Sequence, residues 1–174
     1  DGRETVKPND IPREENPTGC YVKTFSLPEE MVGKRLQLHL EGVETAFHCW
    51  INGSYVGYSE DSYTPAVFDI TEKVRAGENK IALEVYRFSS GSWLEDQDFW
   101  RMGGIIRDVT VRALPEIHIR DLDVQAYLTE DYTCGEARIR VKLDGTKAEG
   151  AKIVWKLYDA RIRMEEPEEE TCIL

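Results

Sequence analysis

Three carboxylates in four residues, Glu95, Asp96 and Asp98, stand inside GSWLEDQDFWRMGG (residues 91–104), among Trp93, Phe99 and Trp100 and just before Arg101. A glycosidase needs two carboxylates about 5 to 9 Å apart, one of them acting as acid and the other as base or nucleophile. Spacing along a loop does not set that distance, and three neighbouring acids are also the ordinary make-up of a solvated turn. The rings set this run apart. Aromatic faces stack on the C–H faces of sugars while nearby carboxylates accept hydrogen bonds from hydroxyls, so the segment has the residue types of a saccharide contact. For each ring alone, and for Trp100 above all, packing in a core is the competing explanation.

Other chemistry is poorly supported. His39, His48 and His118 lie in strand-like stretches with no nucleophile or second ligand nearby, which is the pattern of structural histidines. Ser89, Ser90 and Ser92 lack the GxSxG context of a nucleophile elbow. Cys20, Cys49, Cys134 and Cys172 are far apart and form no CxxC or paired Cys/His spacing, so a thiolate metal site is not expected. They sit in apolar runs such as GCYVKTF and AFHCWI, which predicts reduced, buried thiols. With 33 acidic against 22 basic residues and a formal charge of -11, the chain is a poor match to the phosphates of nucleic acid. No apolar run reaches the roughly 18 residues of a membrane span, and the polar start DGRETVKPNDIPREENP is unlike a signal peptide. No membrane partner and a cytoplasmic location are the resulting expectations.

The elements that must position these groups read with period two. KRLQLHLE puts Leu36, Leu38 and Leu40 on one face against Arg35, Gln37 and His39, and KIALEV sends Ile81, Leu83 and Val85 one way. ARIRVKL does the same with Ile139, Val141 and Leu143, as does KIVWKL with Ile153, Trp155 and Leu157. One wet face per strand is the signature of antiparallel sheets. Asn52-Gly53 in WINGSYVGY predicts a type I′ hairpin, because both positions tolerate positive φ. FDITEKVRAGENK predicts a single helical turn with Asp69 or Thr71 as cap. Strands about ten residues apart predict an all-β chain, a β-sandwich of jelly-roll or immunoglobulin type. Pro115 in ALPEIHI interrupts ladder pairing, which places one sandwich over residues 1–115 and the start of another over 116–174. The tail RIRMEEPEEETCIL reads as a solvated or disordered acidic end.

Taken together, ENPTGCYVKTF, GVETAFHCWINGSYVGYSEDSYTPAVFDIT and RAGENKIALEVYRFSSGSWLEDQDFWRMGGIIRDV resemble the sugar-binding jelly-roll domain of family 2 glycoside hydrolases, in particular bacterial β-galactosidases. The resemblance covers residues 15–112; residues 117–160 more weakly resemble the first strands of the immunoglobulin-like domain that follows in that family. It implies a noncatalytic piece of a retaining hydrolase of terminal β-galactosides, inactive alone because both catalytic glutamates belong to a barrel domain. It further implies that Asp98 touches the galactosyl 6-hydroxyl and ligates sodium. Trp93, Phe99 and Trp100 would support the loop, with Glu95 and Asp96 pairing with Arg101 or Arg107. The implied partners are the galactoside, the barrel domain with room for magnesium in it, and further copies of the parent in a homo-oligomer. The family's jelly roll also starts earlier than NPTGCY, and its usual serine in RMSG is Gly103 here. An autonomous carbohydrate-binding module and an immunoglobulin-like structural module remain open as alternatives.

Overall fold

The computed structural model describes residues 11–12, 14–95, 101–145, 150–157 and 168–173, the last of these by backbone alone. The chain divides into two compact units, Asp1–Leu114 and Pro115–Leu174.

The first unit is a sandwich of two antiparallel sheets. One is built from β1 (Thr18–Leu27), β7 (Gly77–Tyr86), β4 (Ala46–Ile51) and β5 (Ser54–Glu60), in that order across the sheet. The other has β2 (Arg35–Leu40) between β6 (Ala66–Asp69) and β9 (Val109–Leu114). A short ribbon, β3 (Val43–Glu44) with β8 (Gly104–Ile105), closes one end.

Alternation along β2 does what the sequence predicts: Leu36, Leu38 and Leu40 are buried, while Arg35 stays outside and pairs with Asp69 at 2.9 Å. Those leucines join Phe47, Cys49, Ile51, Ile70, Ile81, Leu83 and Val85 in one core between the sheets. Each such side chain removed from water contributes roughly 1.5–3 kcal/mol. The β4–β5 turn has φ of 51° at Asn52 and 79° at Gly53, as the hairpin reading requires. The predicted helical turn is a 3-10 turn, Thr71–Lys73. Neither expected residue is its N-cap: that position is Ile70, which makes no side-chain cap bond, while Asp69 Oδ1 accepts the Thr71 N–H at 3.0 Å from just outside the turn and Thr71 Oγ1 accepts the Leu36 N–H of β2 at 2.9 Å.

The second unit holds two antiparallel ribbons. β10 (His118–Leu128) pairs with β11 (Gly135–Asp144), and β12 (Lys152–Leu157) with β13 (Glu168–Ile173). Paired residues share a face, so Leu122 with Val141 and Val124 with Ile139 line an apolar side. Asp121 with Lys142 and Asp123 with Arg140 line a polar side, where they form ion pairs of 2.8 and 3.5 Å. A bulge at Arg120 keeps Ile119 and Leu122 on the apolar face despite their spacing of three.

Two expectations need correction. The acidic tail is not wholly irregular, because Glu168–Ile173 form β13; backbone pairing to β12 outweighs the local charge run. Cys20, Cys49 and Cys134 are free, but of these only Cys49 is buried, whereas Cys20 and Cys134 are exposed. Cys20 pairs with Glu84 on β7 and so takes the outer face of its sheet, and Cys134 lies in the turn before β11. Burial pushes the Cys49 thiol up to about 12.

Candidate functional site

Four connections meet at one end of the first sandwich: residues 41–45, 61–64, 87–95 and 101–107. The acidic stretch runs between the last two. Its entry is α1 (Gly91–Leu94), a single helical turn where the sequence predicts an irregular loop, closed by the Glu95 N–H donating to the Gly91 carbonyl at 2.8 Å. Trp93 lies half-buried on this turn, and Leu94 points into solvent.

Glu95 is held by a residue that the sequence did not point to. Its carboxylate accepts two hydrogen bonds from Ser62, from the backbone N–H at 2.8 Å and from Oγ at 2.6 Å. Ser62 is wholly buried at the foot of a tight Asx turn, in which Asp61 Oδ1 accepts the N–H groups of Tyr63 and Thr64. Arg107 is engaged elsewhere: its Nη1 donates to the carbonyls of Tyr63 at 2.8 Å and Glu41 at 3.4 Å, and its guanidinium carbon stands 5.9 Å from the Tyr63 ring centre. Gly42 makes this approach feasible, since a Cβ there would lie 3.0 Å from Arg107 Cδ.

The exit of the stretch is held by a second carboxylate. Glu44, 6% exposed in β3, accepts the Gly103 N–H at 2.9 Å through Oε2. Gly103 and Gly104 have φ of 73° and 97°, which favours glycine at both, and a Cβ on Gly104 would come within 2.7 Å of the Tyr21 hydroxyl. Arg101 is half-buried just before this point. Asp96, Asp98, Phe99 and Trp100 lie outside the described residues.

Two further contacts brace the same end. Asn16 clips the chain after β7, donating to the Phe88 carbonyl and accepting the Phe88 N–H, both at 2.9 Å. Glu60 accepts hydrogen bonds from Ser90 Oγ at 2.5 Å and from the Tyr58 hydroxyl. Burial alone would raise the Glu60 carboxyl, but the bonds from Ser90, Tyr58 and the Gly91 N–H outweigh it and leave the group below its ordinary value.

Sequence reasoning missed Glu44, Glu60 and Ser62. Glu44 had a visible signal, a lone acid between apolar residues in GVETAF. Ser62 had none, because nothing in SEDSYTP distinguishes a buried serine from a turn residue.

The three histidines are structural, as their surroundings suggest. His39 Nε2 lies 3.2 Å from Gln37 Oε1. His48 Nδ1 lies 2.9 Å from the Tyr55 hydroxyl in a ring cluster with Trp50, Tyr58 and Tyr86. These rings meet tilted or edge-on, so they cover one another and do not present one flat stacking surface. His118 Nδ1 lies 3.1 Å from the Pro115 carbonyl oxygen.

Residues 4–115 match the model of the glycosyl hydrolases family 2 sugar-binding domain. The chain belongs to this family. It is 48% identical over 160 residues to a β-galactosidase of Halalkalibacterium halodurans and 46% identical over 145 residues to one of Clostridium acetobutylicum. Those alignments cover 92% and 83% of this chain but 16% of each relative, so the chain spans about a sixth of their length. Among solved structures it is similar to a β-glycosidase from Bacteroides vulgatus, with a TM-score of 0.69 at 22% identity over 89% of this chain and 20% of that one. A β-glucuronidase from Bacteroides uniformis gives 0.70 at 23% identity, over 90% and 20%. Likeness at that identity carries the fold. No helix among the described residues is long and apolar enough to cross a membrane.

Proposed function

We propose that this chain forms the sugar-binding end of a retaining β-galactosidase, and that Asp98 binds the galactosyl 6-hydroxyl there without transferring a proton. The carrying observation is that the acidic stretch is tethered on both sides, by Glu95 to Ser62 and by Gly103 to Glu44. A carboxylate three residues after one fixed point, Glu95, and five before the other, Gly103, can be aimed at a ligand at low entropic cost. The β-galactosidases that this chain resembles supply the substrate class. Both catalytic carboxylates of the retaining reaction, and the barrel that holds them, lie outside these residues on this reading.

Asp98 would also give one oxygen ligand to sodium, a donor that suits a hard cation. The described residues contain no group of three His, Cys, Asp or Glu side chains placed to hold a metal ion, so the other ligands would come from the rest of the enzyme. When bound, sodium supplies positive charge beside the hydroxyl that Asp98 orients.

The isolated chain should show no turnover of a chromogenic β-galactoside above a buffer blank. In the full-length enzyme, Asp98→Asn should lower kcat/KM by about 2 to 4 kcal/mol, the scale of a charge-assisted contact broken in a desolvated site. Turnover by the isolated chain that disappears in Asp98→Asn would overturn the assignment of catalysis to a separate barrel. A full-length Asp98→Asn enzyme with unchanged kcat/KM would return Asp98 to ordinary surface charge.

A further inference from the structure

We infer that Glu95 and Ser62 form a positioning clamp for the acidic stretch, setting the aim of Asp98 without touching the substrate; the inference rests on the reading of Asp98 given above. The geometry is unusual for a simple turn. Glu95 has both carboxylate oxygens committed to one residue, at 2.8 and 2.6 Å, and that residue belongs to a different loop 33 positions earlier. Ser62 has no exposed surface. Burying the Ser62 N–H and hydroxyl costs free energy that only matched hydrogen bonds offset, and Glu95 accepts both, so the pair has one low-energy arrangement and not several.

The platform beneath the clamp is rigid for independent reasons. Ser62 follows Asp61, whose side chain ties down the next two N–H groups, and Tyr63 is held through its carbonyl by Arg107. Gly91, at the start of the turn that delivers Glu95, is buried, and a Cβ there would already touch Ser89, Glu60 and Glu95 at 3.3 to 3.9 Å. On the far side the Glu44 carboxylate and the β3–β8 pairing hold Gly103 and Gly104. The geometry thus fixes where the stretch leaves the sandwich and where it returns. Because displacement of a binding group by about 1 Å is enough to cost up to 100-fold in rate, loosening the entry should be read out at the contact that Asp98 makes.

The test uses the full-length enzyme and two substrates, a β-galactoside and the matching pyranoside without the 6-hydroxymethyl group. Glu95→Gln leaves one oxygen acceptor and turns the other arm into a donor; Ser62→Ala keeps the N–H arm and removes the hydroxyl. Each should lower kcat/KM on the galactoside about tenfold and on the truncated substrate less than twofold, and should raise the sodium concentration needed for half-maximal activity. A purely architectural role would depress both substrates alike or move only the melting temperature. Wild-type selectivity in both variants, or equal losses on both substrates, overturns the clamp; if Glu95→Gln fails to fold, Ser62→Ala decides by the same criteria. Asp98→Asn separates the two ideas. If Asp98→Asn changes the substrate ratio and the clamp variants do not, the clamp alone is wrong. If Asp98→Asn leaves the ratio unchanged, the reading of Asp98 fails and takes the clamp with it.

Discussion

Residue identities at the ends of the strands decide how the first unit responds to acid. Burial holds the His39 imidazole below its ordinary 6.5, and the Arg112 guanidinium adds to the effect while Glu41 opposes it. The fold therefore prefers the neutral ring: the stability linked to His39 is complete above 6.5 and is lost as pH falls through the lower folded value. Glu60 acts in a second, more acidic window. Its hydrogen bonds leave the folded carboxyl below 4.5, so its contribution is complete above 4.5 and disappears as pH falls through the folded value. Melting temperature measured against pH should thus fall in two steps, with His39→Gln flattening the upper one and Glu60→Gln the lower. Profiles that match wild type in both variants would show that neither titration is linked to folding.

At the scale of elements, the β4–β5 hairpin shows how a local signal is completed at long range. Asn52 has the positive φ of a turn residue, but its side chain also donates to the Lys73 carbonyl at 2.9 Å and to Asn79 Oδ1 at 2.8 Å, and accepts the Lys80 N–H at 3.0 Å. Asn79, 1% exposed at the start of β7, is the hub. It accepts the Arg75 N–H and donates to the carbonyls of Arg75 and Gly77. One buried amide thereby ties the hairpin to residues 75–77, which lead into β7. Asn79→Ala would strand several buried polar groups and should destabilise the first unit by about 1 to 3 kcal/mol in urea unfolding. A loss within a few tenths of a kcal/mol would mean that water replaces the amide at no cost.

For the whole molecule, the contrast between the units matters most. The first unit buries its apolar stripes between two sheets, whereas in the second Ile119, Leu122, Val124 and Leu128 are 56 to 66% exposed on the β10–β11 ribbon. An apolar face of this kind is where a hydrophobic dye binds, in a chain whose net charge of -11 otherwise favours solubility. The chain should therefore enhance anilinonaphthalene sulfonate fluorescence under native conditions, and Leu122→Thr with Val124→Thr should remove most of the enhancement. Persistence of the signal in the double variant would place the dye elsewhere.

Period-two alternation was sufficient to place Leu36, Leu38, Leu40, Ile81, Leu83 and Val85 in one core, because in a strand the side-chain direction is a local property of the backbone. Asn52-Gly53 was equally legible, since positive φ restricts residue type at the position itself. The family, too, was written in the residues, in runs long enough to be specific. What tertiary structure alone decided is which polar groups meet. Glu95 was visible as a charge, but the Ser62 donors that hold it come from a separate loop. Glu44 is tolerated in its apolar run because Gly103, 59 residues later, brings it a donor. Strand Glu168–Ile173 exists because a ladder partner compensates for a sequence that repels itself. In each case the deciding energy is the satisfaction or desolvation of a polar group by a residue distant in sequence, and that free energy is defined only once the chain has folded.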